Sequence, residues 1–241
     1  MQVRAERIAV IAVAVGVLVG CTTDDVDVPA PVVTETELYL IPDTAFGEYL
    51  VYLEIDGVEV QDQDGATQYF IDPARVDGVS ELAMSKTSGS VENLLEAGFT
   101  NAETKITNLD GIQHFVNLQV LKLTSNALTT LDLSSCPKLT TLEINFNLVG
   151  SLDLSSNPAL ERLRYKASAN ADTGQKLTSI DLSNNGALRH LYLPRHDLTA
   201  IDLSNNPLLD DTLDLSENPG PDGDPDTPDI VVPDAIFSQV P

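Results

Sequence analysis

Basic residues are scarce in this chain. Thirteen Lys and Arg stand against 37 Asp and Glu, a formal net charge of −24. That deficit excludes a nucleic-acid binder, since phosphate recognition needs clustered cations. It also excludes adhesion to an anionic lipid surface through protein charge alone. Cysteine is nearly absent: two residues, Cys21 and Cys136, cannot build a disulfide scaffold. There is no Trp, and aromatics make up 5% of the residues. No GxSxG, HExxH, P-loop or CxxC pattern occurs, so an enzymatic reading has no residues to stand on. Three histidines are present, and His190 and His196 lie six apart, a spacing that fits neither a helical zinc pair nor one strand face. What remains is ordinary for a globular chain of one or two domains: 241 residues, 42% hydrophobic and 21% charged.

The apolar residues are not evenly spread. Residues 8–19 form an uninterrupted apolar or small run after Arg4 and Arg7. Twelve residues are too few for a stop-transfer helix but right for a signal-peptide h-region. The run ends Leu18, Val19, Gly20, Cys21, which resembles the lipobox of bacterial lipoproteins at all four positions. The resemblance implies a signal peptide over 1–20, cleavage after Gly20, and diacylglycerol and acyl chains on Cys21. Several acyl chains anchor firmly, at about 0.8 kcal/mol per buried CH₂. Thr22 rather than Asp follows Cys21; by resemblance to the sorting rule of Gram-negative lipoproteins, this implies the outer membrane of a bacterial cell envelope, on either of its sides. Residues 21–37 then carry five acids, two prolines and no base, which reads as an extended, self-repelling tether.

From Leu118 the chain falls into register. Leu118, Leu121, Leu123, Asn126 and Leu128 spell LxxLxLxxNxL. Leu139, Leu142, Ile144, Asn147 and Val149 repeat it, as do Leu188, Leu191, Leu193, His196 and Leu198, with His at the Asn place. Half-units of the form LxxLDLSxNPxL lie between, as at Val149, Leu152, Leu154, Asn157 and Leu160. Leu121, Leu142 and Leu163 are 21 residues apart, and a seven-residue insertion within 167–176 widens one later step to 28. The pattern resembles the leucine-rich-repeat family, and most closely its bacterial class with nested half-repeats. The resemblance implies an α/β-type leucine-rich-repeat solenoid over 106–218. Its short parallel strands alternate with irregular or strand-like convex segments, and neighbouring units stack because none buries its leucines alone. Cys136 occupies a ladder position, where the family accepts Cys, and reads as a packing thiol.

Caps must close the apolar ends of such an array. Pro42 and Asp43, then Phe46, Tyr49, Leu50 and Leu53 at helical spacing, predict a helical N-terminal cap within 38–105. Together with the phrase around Gly111, this resembles the cap of internalin-like bacterial proteins. Val79, Leu82 and Met84 suit an early strand, residues 90–97 suit a short helix, and 85–105 otherwise depart from the spacing. Residues 219–241 form an acidic tail or cap in which Val232, Pro233, Asp234 and Phe237 echo Ile41, Pro42, Asp43 and Phe46. The tail's alternating acids lack the Gly and Glu of an EF-hand loop; a solvated loop is the default, with calcium binding the alternative. Asp132, Asp153, Asp181, Asp202 and Asp214 recur in the LDLS units; the preferred reading is a ladder of Asp to Ser or Thr hydrogen bonds, the sharper one a row of weak cation contacts.

Strand alternation puts one set of side chains outward. By resemblance this is the concave face, a ligand site comprising Lys122, Glu143, Arg162, Arg164, Lys166, His190 and Tyr192. Three cations on one strand beside an aromatic form a candidate site for a protein or an anionic glycan; the plainer reading is a solvated cluster neutralising nearby acids. The charge divides unevenly, with thirteen acids against eight bases in 106–218 and five acids with no base in 219–241. The expected protein is a lipid-anchored, monomeric recognition module of the cell envelope, with no cofactor, no metal and no enzymatic activity. Alternatives are a structural envelope lipoprotein without a dedicated ligand, and an enzyme using 54–105. Expressed in a lipoprotein-competent bacterium, the mature chain should begin at an acylated Cys21 by mass spectrometry; an unmodified Cys21 would contradict the anchor.

Overall fold

The computed structural model describes residues 38–63, 66–86, 96, 103–169, 171–172, 174–210 and 212–219. The expected signal peptide, the tether, the helix at 90–97 apart from Glu96, and the tail beyond Pro219 fall outside these residues. Among the described residues no helix is long and apolar enough to cross a membrane.

The expected cap helix forms as α1 (Thr44–Tyr52). Asp43 has extended backbone, and its Oδ1 accepts from the Phe46 N–H at 2.9 Å, satisfying one donor that the first turn leaves open. Its Oδ2 accepts from the Thr107 N–H and hydroxyl (both 2.8 Å) and from the Asn108 N–H (3.0 Å). One carboxylate thus starts the helix and fastens it to the chain entering the repeats. The helix packs on a three-stranded antiparallel sheet of β1 (Tyr39–Ile41), β2 (Val58–Gln63) and β3 (Ala66–Ile71), ordered β1-β3-β2. Gly47 is required at that contact: a Cβ there would lie 2.3 to 2.5 Å from the Tyr69 side chain. The hairpin was not expected from the sequence, although Asp64 and Gly65 between alternating residues are a known hairpin signal.

A second, parallel sheet follows. It comprises β4 (Glu81–Ala83), β5 (Val120–Lys122), β6 (Thr141–Glu143), β7 (Arg162–Arg164) and β8 (His190–Tyr192), in that order. Asp214 adds a single bridge beyond Tyr192. Leu82, Leu121, Leu142, Leu163 and Leu191 align across the strands and are fully buried. The sheet therefore begins at the early strand near Leu82, one strand before the regular leucine spacing. Cap and repeats share a continuous apolar core from Ile41 to Leu215.

The turn that ends each strand is buried and must satisfy its backbone from within. After β5, β6 and β8, and after the bridge at Asp214, a residue takes the left-handed conformation (Ser125, Phe146, Arg195 and Glu217, φ 59° to 68°), and the next residue points inward; the segment after β7 does not follow this pattern. Asn147 shows the logic. Its Nδ2 donates to the carbonyls of Leu123, in the preceding repeat, and Ile144, in its own (both 2.9 Å), and its Oδ1 accepts from the Leu128 N–H at 3.1 Å. Asn126 and Asn218 make the same three bonds one repeat before and three after. His196 fills the same place: Nδ1 accepts from the Leu177 N–H (3.1 Å), and Nε2 donates to the Tyr165 carbonyl (2.8 Å).

The half-repeats are irregular, not strand-like. Tandem i to i+3 turns run through Leu133, Cys136 and Leu139, and recur at Asn157, Asn185 and Asn206. The three Asn donate to two carbonyls each, so they form a second ladder. Cys136 is its first rung, with its thiol facing the Phe115 carbonyl at 3.9 Å. Burial pushes that thiol up to about 11, which keeps it protonated and unreactive. The LDLS aspartates do not bridge between units. Asp132, Asp153, Asp181, Asp202 and Asp214 each accept from the backbone N–H two residues on, all at 2.9 Å. Those bonds, with side-chain bonds to the same serines (the larger cause at Asp181), hold the carboxyls of Asp132, Asp153, Asp181 and Asp202 below their ordinary range. Within the 167–176 insertion, Gly174 lies against the preceding repeat, its carbonyl oxygen sitting where a Cβ on Gly150 would be.

Burial lowers His196 to about 4, so the ring is neutral in the fold. Below pH 6.5 the unfolded chain takes up a proton at this residue that the folded chain refuses, so stability falls as pH drops from 6.5 towards 4. The loss attributable to His196 is roughly 3 kcal/mol at the acid end. Denaturant unfolding of wild type and H196N should diverge over this range, with the Asn variant losing less; parallel pH profiles would contradict this role.

A candidate binding face on the parallel sheet

The alternation that buries Leu121, Leu142, Leu163 and Leu191 turns their neighbours outward. Register sets them in rows. One row reads Val120, Thr141, Arg162, His190, and the next Ala83, Lys122, Glu143, Arg164, Tyr192. Lys166 lies just past the end of β7 on the same face as Arg162 and Arg164. Its backbone N–H donates to the Asn145 side chain at 2.8 Å, and its carbonyl accepts from the Phe146 N–H at 2.8 Å, so the ladder continues there. All seven residues expected in the site share this face.

They are not equivalent. Lys122 sits two strands from β7, roughly 10 Å away, and pairs with Glu81 at 3.8 Å. His190 Nδ1 lies 2.7 Å from the Thr212 hydroxyl and 3.1 Å from Asp210 Oδ2. The Thr212 hydroxyl also donates to Asp210 at 2.5 Å, and with the Thr212 backbone N–H and His190 it holds the Asp210 carboxyl below the usual carboxylate range. Two of the candidate residues are thus engaged with acids of this chain. Arg162, Arg164 and Lys166 differ: among the described residues no carboxylate lies within 4 Å of them. Arg164 stacks instead on the Tyr192 ring at 4.9 Å, and its shielded Nε has no hydrogen-bond partner. Glu143 stands opposite Arg164 in the register without a direct ion pair between them.

One neighbour went unnoticed in the sequence. Phe146 is 41% exposed at the rim beside Lys166, in a left-handed turn position held elsewhere by Ser125, Arg195 and Glu217. A bulky aromatic in a solvent-facing left-handed slot is unusual. The signal was available, because the residue before each ladder position is otherwise polar. Among the described residues no group of three or more His, Cys, Asp or Glu is placed to hold a metal ion.

No family model and no curated relative matches the sequence. Solved structures similar to this chain include the functional domain of InlJ from Listeria monocytogenes, which includes a cysteine ladder. That likeness has 24% identity over 72% of this chain and 42% of that one, at a TM-score of 0.43. Internalin C2 from L. monocytogenes str. 4b F2365 is similar at 21% identity, over 70% of this chain and 62% of that one, at a TM-score of 0.46. An internalin, InlF, from the same strain is similar at 18% identity, over 70% and 53%, at a TM-score of 0.42. The chain matches less than two thirds of the length of each.

Proposed function

We propose that this chain is a membrane-anchored recognition protein of the cell envelope. It holds a leucine-rich-repeat array away from the membrane on an acidic tether and binds a protein or anionic glycan on the concave side of the parallel sheet. The observation that supports this most strongly is the row of Arg162, Arg164 and Lys166. Three cations stand together without carboxylate partners among the described residues, in a chain that carries an excess of acids, and Tyr192 and Phe146 flank them. Strand pairing fixes the backbone beneath them, so little ordering is required when a ligand arrives. An arginine stacked on an aromatic ring presents a planar donor set suited to carboxylate or sulfate groups. The lipidated Cys21 and an outer-membrane location belong to the same proposal and rest on the lipobox and on Thr22.

Charge reversal at the row is the direct test. The variant R162E/R164E/K166E should lose roughly tenfold or more in capture of anionic glycans on an array, or of acidic surface proteins, since each 1.4 kcal/mol is tenfold. Wild-type binding should also weaken as salt rises. Unchanged capture by the reversed variant would rule out this face.

A further inference from the structure

Resting on that reading of the face, we propose a specific occupant: an extended peptide with carboxylates on alternate residues, supplied by this chain's own Asp222, Asp224 and Asp226. Arg162 and Arg164 on β7 and Lys166 just past its end occur at i, i+2 and i+4, on one face. Their spacing along the chain is therefore about 6.6 Å per step. The three acids have the same i, i+2, i+4 spacing, and Pro221, Pro225 and Pro228 among them favour extended backbone. Two linear arrays of opposite charge and equal period can pair along their length, whereas a scattered acidic surface meets one or two cations at a time.

Position favours the same segment. The described chain ends at Pro219, directly after Asn218, the ladder residue of the final turn. That turn lies at the same strand end as Lys166 and Phe146. The bridge at Asp214 is two strand spacings from β7, about 10 Å. Residues 220–222 can cover about 10 Å when extended. So short a tether holds the acids at an effective concentration in the millimolar range, so weak pairing suffices to occupy the row. Residues 219–241 contain no Lys or Arg to compete. An external ligand would then have to displace the tail, which sets a threshold on recognition.

The test uses the chain without its signal and Cys21, and a labelled synthetic peptide of residues 219–229 added in trans. The full-length wild type should bind the peptide weakly. D222N/D224N/D226N in the chain should tighten peptide binding about tenfold, because the internal competitor is gone. Adding R162E/R164E/K166E to that background should abolish the gain. The control D24N/D25N/D27N changes net charge equally at the other end and should leave affinity unchanged. The proposal is overturned if the tail substitution has no effect, or if the control matches it. A sulfated oligosaccharide that binds the tail-substituted chain through β7, where the peptide does not, would overturn the tail while keeping the face. Binding of neither probe would overturn both.

Discussion

Most repeats in this array depend on satisfying a buried turn; the repeat on β7 carries a half-buried Ser168 at that place instead. A short parallel strand must stop and reverse inside the core, where its carbonyls and N–H groups meet no solvent. The inward Asn solves this with three hydrogen bonds, joining two carbonyls and one N–H from two adjacent repeats. Each bond contributes modestly, but an orphaned buried group costs roughly 1 to 3 kcal/mol, so the ladder is what prevents a large loss. His196 serves the same function with one donor and one acceptor, which requires it to be neutral. Asp43 does related work at the array's entrance, joining helix α1 to residues 107 and 108.

With the interior held this way, the outward face of the sheet is left largely free of structural duty. Lys122 and His190 are engaged with acids, whereas Arg162, Arg164 and Lys166 are not. The acids of the irregular flank are also occupied, each accepting from its own turn two residues on. Among the described residues, the cationic row therefore keeps no direct carboxylate contact, although Glu143 stands opposite Arg164 in the register.

The periodic part of this architecture was legible in the sequence, since buried leucines at fixed steps can stack in only one register. The helix start was legible from Pro42 and Asp43, because the cap chemistry is local. The hairpin of β2 and β3 was missed even though Asp64 and Gly65 mark its turn, and the LDLS segments mimic strands by alternation while folding as tandem turns. Outward positions followed from alternation, so the face itself was readable. Which of its cations were already paired was not, because Glu81 comes from a strand far earlier in the chain and Asp210 comes from the next turn. The exposure of Phe146 depends on a left-handed backbone that only comparison among the repeats could have suggested.

The inward ladder and the outward row divide the labour of this fold, and stability separates them directly. Asn147→Ala orphans three buried groups and should cost roughly 3 kcal/mol or more in denaturant unfolding. Replacing Arg162, Arg164 and Lys166 together by Ala should shift stability by no more than about 1 kcal/mol, since none of them pairs with a carboxylate of the described fold. A loss from the cation replacement equal to that of Asn147→Ala would show that the row holds the fold together, and would contradict the account.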